Sequence, residues 1–151
     1  GADYFQLKVS DGKILLNETE LNATHPDTLT DGRLKLIWKP GKGILFQNSA
    51  GDTSLRKKVS PPDLSARALV SLAGVYKSDE AEASFTIKIA GQDVIYFRTP
   101  DVEVKLKPAF LNAFIDDDYW LYEFTRNGKG EVTGGFISLS RAERVAFKKT
   151  N

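Results

Sequence analysis

Few residues have the type and spacing to do chemistry. Ser54-Leu55-Arg56-Lys57 fits S-x-x-K, in which a serine hydroxyl attacks an acyl carbon while an amine one helical turn away supports it. That chemistry needs a helix. Residues 54–59 read as a strand, where positions three apart point to opposite faces, so the pattern is expected to be incidental. Lys149-Thr150-Asn151 is only superficially like K-T-G and is expected to be incidental too. His25 is the only histidine, which excludes a multi-histidine metal site, and His25-Pro26-Asp27 reads as an exposed loop rather than a catalytic base. Asp116-Asp117-Asp118 offers the hard oxygen donors calcium selects, but an EF-hand alternates its ligands around a central glycine and ends on a glutamate. A solvated turn is expected. No catalytic residue, metal or cofactor is assigned.

Aromatic residues give a different candidate. Trp120, Tyr122 and Phe124 fall on one face of a strand with Tyr119 and Leu121 on the other, and Trp38 holds a related place earlier in the chain. Such a row either fills a core or lines a ligand cavity that could stack on sugar rings. Core packing is the expectation, because an eight-stranded barrel is just wide enough for its own side chains.

The bulk numbers bound the rest. A chain of 151 residues, 41% of them apolar and with 9 Phe, 5 Tyr and 2 Trp, can bury a real core. Lys and Arg total 21 against 20 acidic residues, so a net charge of +1 offers no field to gather nucleic acid or anionic lipid. No apolar run approaches the roughly 20 residues that span a bilayer, and no secretion signal opens the chain. The absence of cysteine excludes disulfides and thiolate chemistry. Gly1-Ala2, without methionine, reads as a tag scar on a fragment of a longer protein. Asn17-Glu18-Thr19 and Asn22-Ala23-Thr24 fit the glycosylation sequon and are expected to be incidental.

The elements are almost all strands. Residues 4–9 alternate Phe5, Leu7 and Val9 with Gln6 and Lys8, Asp11-Gly12 favours a tight hairpin, and residues 13–16 return. Further strands read at 20–23, 33–39, 44–47 and 54–59, with a turn at Pro40-Gly41-Lys42-Gly43. Ser60-Pro61-Pro62-Asp63 breaks the series, and Leu64, Ala68, Leu69 and Leu72 at helical spacing predict one short helix stopped by Gly74. Strands follow at 75–77, 85–90, 93–98, 102–107, 113–116, 120–125, 132–139 and 144–149, with a bulge or bend at Gly134-Gly135. The expected fold is all-β: an antiparallel meander or up-and-down barrel with one short helix between two repeats. The boundaries are 1–59 for a truncated first repeat, 60–73 for a Pro-rich linker and helix, and 74–151 for a complete second repeat.

The repeat is visible in the residues. Phe5-Gln6-Leu7-Lys8-Val9 lies over Phe85-Thr86-Ile87-Lys88-Ile89 at an offset of 80, and Ile14-Leu15-Leu16 over Val94-Ile95-Tyr96. Allowing five more residues, Leu21 falls on Leu106, Leu29 on Phe114 and Asp31 on Asp116, with Gly41-Lys42-Gly43 near Gly128-Lys129-Gly130. Nothing before Tyr4 matches the opening strand of the second copy. Residues 4–9 are therefore expected to be an open sheet edge and to support a homodimer.

Leu72-Ala73-Gly74-Val75-Tyr76 with Ser78-Asp79-Glu80, Phe85-x-Ile87-x-Ile89, Leu106-Lys107-Pro108, Phe114, Phe124-x-Arg126-Asn127-x-Lys129-Gly130-x-Val132-Thr133-Gly134 and Arg144-Val145-x-Phe147-Lys148-Lys149 form an ordered set. Over residues 62–150 the chain resembles the lipocalin-like C-terminal domain of beta-lactamase-related serine hydrolases, the penicillin-binding-protein-like, class C family. Gly135 before Phe136 and the acidity of Asp116-Asp117-Asp118 depart from that pattern. The resemblance implies an accessory domain with no chemistry of its own, partnered by an N-terminal serine hydrolase domain of the same chain. It also implies a bacterial, periplasmic or extracellular setting. A small-ligand-binding barrel, with Trp38, Trp120, Tyr122 and Phe124 at the ligand, is the alternative.

Overall fold

A computed structural model describes residues 4–139 and 144–150, in two compact units that divide between Val59 and Ser60. The first unit is an antiparallel meander in which each strand pairs with the next: β1 (Leu7–Ser10), β2 (Lys13–Leu16), β3 (Thr19–His25), β4 (Thr28–Thr30), β5 (Lys35–Lys39), β6 (Gly43–Gln47) and β7 (Thr53–Arg56). The second opens with a short helix, α1 (Ala66–Val70), and β8 (Gly74–Ser78). It continues as β9 (Ala83–Ala90), β10 (Asp93–Thr99), β11 (Val102–Phe110), β12 (Ala113–Ile115), β13 (Leu121–Arg126), β14 (Val132–Ser138) and β15 (Val145–Thr150). Pairing of β15 with β8 closes these eight strands into a barrel. The two units form separate sheets.

Local chemistry explains the turns. Asp11 and Gly12 both take positive φ, 51° and 76°, between the paired Ser10 and Lys13, the geometry a two-residue hairpin needs to follow strand twist. Gly134 and Gly135 serve a different purpose. A Cβ at Gly134 would collide with the Phe147 carbonyl, and one at Gly135 with the Glu123 carbonyl, so both glycines let neighbouring strands approach. The expected irregularity lies beside them: register shifts where Thr125 pairs Gly134 and Arg126 pairs Val132.

Ser65 caps α1 by accepting the Ala68 amide at 3.2 Å. The helix then sends Leu69 and Leu72 into the barrel core with Tyr76, Phe85, Ile87, Tyr96, Tyr122 and Phe124. Tyr76 donates its hydroxyl to the Leu72 carbonyl at 2.6 Å, and burial pushes its ionisation well above the ordinary tyrosine range. Arg126 fastens the helix to the barrel. Its guanidinium donates to Asn112 Oδ1 at 2.8 Å, Ser71 Oγ at 2.8 Å, the Gly130 carbonyl at 2.9 Å and the Ala68 carbonyl at 3.3 Å.

The repeat holds at the level of strand register. The pair Leu7↔Leu16 repeats as Ile87↔Tyr96, Ile14↔Leu21 as Val94↔Leu106, and Asn22↔Thr30 as Lys107↔Ile115. Leu36↔Phe46 repeats as Tyr122↔Ile137, and Ile44↔Arg56 as Gly135↔Phe147. Even the bulge between Ala23 and His25 recurs between Pro108 and Phe110. The hydrogen bond from the Trp38 amide to the Asp27 carbonyl, 2.7 Å, recurs from the Phe124 amide to the Asn112 carbonyl, also 2.7 Å. Register places Gly43 on Gly134, not near Gly130, because the β13–β14 turn is the longer one.

The two interiors differ in completeness. Leu16, Leu21, Leu36 and Phe46 form the core of the first unit, at the positions of Tyr96, Leu106, Tyr122 and Ile137. Among the described residues, the first unit has no element matching α1 or β8 of the second. Two strand expectations shift accordingly. Residues 4–6 and 57–59 lie outside β1 and β7, although the Gln6 carbonyl still accepts the Asn17 amide at 2.7 Å. The short β4 adds a strand that alternation did not indicate, having Leu29 as its single apolar residue.

Candidate functional site

In an up-and-down barrel successive turns alternate between the two ends. The β9–β10, β11–β12 and β13–β14 turns therefore share the end at which α1 is clamped. The β10–β11 and β12–β13 turns share the other. There a cleft of about 630 Å³ is lined by Tyr96, Arg98, Glu103, Lys105, Lys107, Asp116, Asp117, Trp120 and Tyr122, among others. It lies within the size range of small-molecule sites.

Part of the cleft comes from residues the first unit lacks. Tyr96 and Val104 pair as Leu16 and Thr19 do, but seven residues separate the first pair and two the second. The β10–β11 hairpin is therefore extended, and Arg98, Val102 and Glu103 of the lining come from this extension. The β12–β13 turn supplies Asp116, Asp117, Asp118 and Trp120. Asp116 organises it by accepting the Asp118 and Trp120 amides on Oδ1 at 3.0 and 2.9 Å.

Asp116 is buried, and its Oδ2 accepts the Tyr122 hydroxyl at 2.9 Å. Desolvation, together with this bond to a carboxylate, pushes Tyr122 far above the ordinary tyrosine range. Tyr96 is raised as well, mainly by burial, with Arg98 opposing the shift and Asp116 adding to it. Both phenols stay neutral donors across the physiological range. On the rim, Lys107 pairs with Asp117, which raises the lysine, while Lys105 reaches away from the rim to Asp93 at 2.8 Å. The floor is thus aromatic and hydroxylated, and the rim is charged with both signs. Such a site can stack a flat or ring-shaped molecule on Trp120 and hydrogen-bond its edge.

Below the floor the aromatic core is tightly packed at the one place the lining residues bracket. The space among Tyr76, Phe85, Tyr122, Phe124 and Phe147 amounts to about 10 Å³, room for one water at most. The four aromatic candidates therefore separate. Trp120 and Tyr122 line the cleft, while Phe124 packs in the core, edge-on to Tyr76 at 5.6 Å. Trp38, the register equivalent of Phe124, belongs to the other unit and is 51% exposed. Tyr96, Arg98 and Lys105 were not foreseen. Their charges and short alternation read as ordinary strand faces, and only the three-strand wall brings them together.

The remaining candidates are dispersed. Ser54 lies on β7 opposite Phe46, Lys57 lies just beyond the strand, and both are exposed. Lys149 and Thr150 are on β15, and Asn151 lies outside the described residues. Lys149 donates to the Ser71 carbonyl at 2.8 Å, and partial burial followed by the nearby Arg126 lowers its ionisation. His25 ends β3, exposed to solvent. No family model matches the chain, and a search of curated proteins finds no significant match.

Proposed function

We propose that the chain is a non-catalytic, lipocalin-like accessory module of a beta-lactamase-related serine hydrolase, modulating substrate access, stability or assembly of an N-terminal catalytic domain. One observation carries the reading: the residues of the resemblance are those that make the barrel. Tyr76 ties β8 to the turn that follows α1, Arg126 clamps α1, and Gly134 admits β15. A motif spent on architecture suits a domain whose contribution is its shape. The periplasmic or extracellular setting follows from the same resemblance.

Deleting the module from the parent hydrolase tests this. The expected result is a shift in substrate range, thermal stability or assembly, while residues 1–151 alone, and their Ser54→Ala variant, turn over no chromogenic ester or β-lactam. Unchanged behaviour on deletion overturns the reading.

A second reading is favoured by the cleft: a binding site for a small ring-bearing molecule, such as a cell-wall sugar fragment, against Trp120 and Tyr122. Titrating N-acetylglucosamine oligomers into the Trp38→Phe variant, where Trp120 is the sole indole, tests it. Saturable change in Trp120 emission is expected, and none at millimolar sugar removes this ligand class.

A further inference from the structure

We propose that the cleft is a strand-addition site, in which an extended peptide pairs its main chain with β11 at Glu103 and Lys105 and lays a ring-bearing side chain against Trp120. This rests on the cleft being a ring-binding site and specifies what carries the ring.

Unequal strand lengths open the edge. β11 runs nine residues and β12 three, and the two pair only from Lys107, opposite Ile115, onward. Past Ile115 the chain leaves the ladder, because Asp116 draws the Asp118 and Trp120 amides into a turn. The lining records the result. Val102, Glu103, Val104 and Lys105 all border the cleft, although alternate side chains of a strand point to opposite faces, so the cleft lies along the edge of β11.

The phase of the ladder fixes which main-chain groups are free. Ala90 and Asp93 flank a two-residue turn and exchange both of their bonds, and from there the bonding direction alternates along β10. Val94 and Tyr96 therefore bond across to Leu106 and Val104. Glu103 and Lys105 point the other way. The same phase directs Lys107 onto Ile115 and the Asp116 amide onto the Trp120 carbonyl, 3.3 Å away. Among the described residues, no strand or turn bonds to the main chain of Glu103 or Lys105 on that side. The Tyr96 hydroxyl is unengaged too. Its residue is 9% exposed, packed on Phe85 and Tyr122 at 5.0 and 5.3 Å, and borders the cleft with no hydrogen-bond partner among the described residues.

These groups specify the occupant. Two N–H donors and two carbonyl acceptors recur about 7 Å apart, twice the rise of a strand, which an extended main chain matches and the hydroxyls of a sugar ring do not. The walls select side chains. Lys107 and Lys105 are held by Asp117 and Asp93, while Arg98 from one hairpin and Asp118 from the other turn have no ion-pair partner among the described residues. A ring flanked by one basic and one acidic residue complements them. The first unit offers less. Its register equivalents of Lys105 and Glu103 are Glu20 and Glu18, and Glu18 lies in the two-residue turn between Leu16 and Thr19.

The test uses the full chain in its Trp38→Phe form and the capped peptide acetyl-Thr-Lys-Tyr-Glu-Thr-amide. At millimolar peptide, amide exchange is expected to slow about tenfold or more at Glu103 and Lys105, and to stay unchanged at Val104, Leu106 and Glu20. Two peptides N-methylated at alternate residues, one in each phase, should differ, only the one whose methyls face β11 losing the effect. Lys105→Pro removes a cleft-facing donor and no ladder bond, so it should melt like the parent and bind the peptide about tenfold more weakly. A change in Trp120 emission with peptide or N-acetylglucosamine oligomers, without protection at Glu103 and Lys105, would overturn strand addition and leave the ring site standing. No emission change with either would remove both. Protection at Glu103 and Lys105 that grows with protein concentration before peptide is added would assign the edge to a second copy and overturn the peptide.

Discussion

Asp31 and Asp116 hold the same turn in the two units. Asp31 Oδ1 accepts the Arg33 and Leu34 amides at 2.8 and 2.7 Å, as Asp116 Oδ1 accepts those of Asp118 and Trp120. They differ in the second oxygen, because the residue equivalent to Tyr122 is Leu36, which has no hydroxyl to give. Replacing Asp116 by Ala removes the acceptor shared by two amides and strands a buried phenol. We expect a loss of about 2–3 kcal/mol in the second unit by urea denaturation, against a smaller loss for Asp31→Ala in the first.

The exposed Asp31 also sets an acid-side signature. Amide donation, chiefly from Leu34 and then Arg33, holds its carboxyl below the usual carboxylate range. A folded value below the unfolded one means that its stabilisation is present above the unfolded value, near pH 4, and fades as pH falls through the folded value. Stability of Asp31→Asn should therefore vary less with pH below about 4 than that of the parent, measured by thermal melts from neutral pH downward.

Arg126 is expected to govern α1. Arg126→Met keeps much of the stem but removes four donated bonds, leaving the Ala68 carbonyl and Ser71 hydroxyl to find water. Amide exchange in residues 66–72 should accelerate selectively, with about 2 kcal/mol lost from the second unit. Uniform acceleration across the barrel would mean that the clamp is not local.

Much of the fold was legible because it rests on local rules. Period-two alternation located most strands, Asp11-Gly12 located a hairpin, and the Leu7/Ile87 and Asp31/Asp116 matches were the register equivalences found in space. What escaped notice depends on distance in sequence. Arg126 reaches Ser71, which lies 55 residues away, so neither residue advertises the clamp. Closure is set by β15 meeting β8, a pairing no local pattern encodes. The cleft joins Tyr96, Lys105 and Trp120 from three segments whose charges read as ordinary solvated faces.

The two tryptophans give a direct check on the placement of the aromatic row. Trp38 is half exposed on β5 and Trp120 is partly buried at the edge of the cleft. Acrylamide should quench Trp120→Phe, which retains Trp38, more steeply than Trp38→Phe. Equal quenching would count against the open face of the first unit.

The unequal turns carry one more consequence. Between the units the paired residues keep step, and length has been added at hairpin ends: at β10–β11 and β12–β13 on the cleft side, and at β13–β14 beside the helix clamp. Additions there leave every ladder bond in place, so the scaffold is insulated from change at its rims. One rim has acquired a receptor-like wall and the other a latch. The seven-stranded sheet of the first unit carries the same register without either addition, a reference within one molecule against which both can be measured.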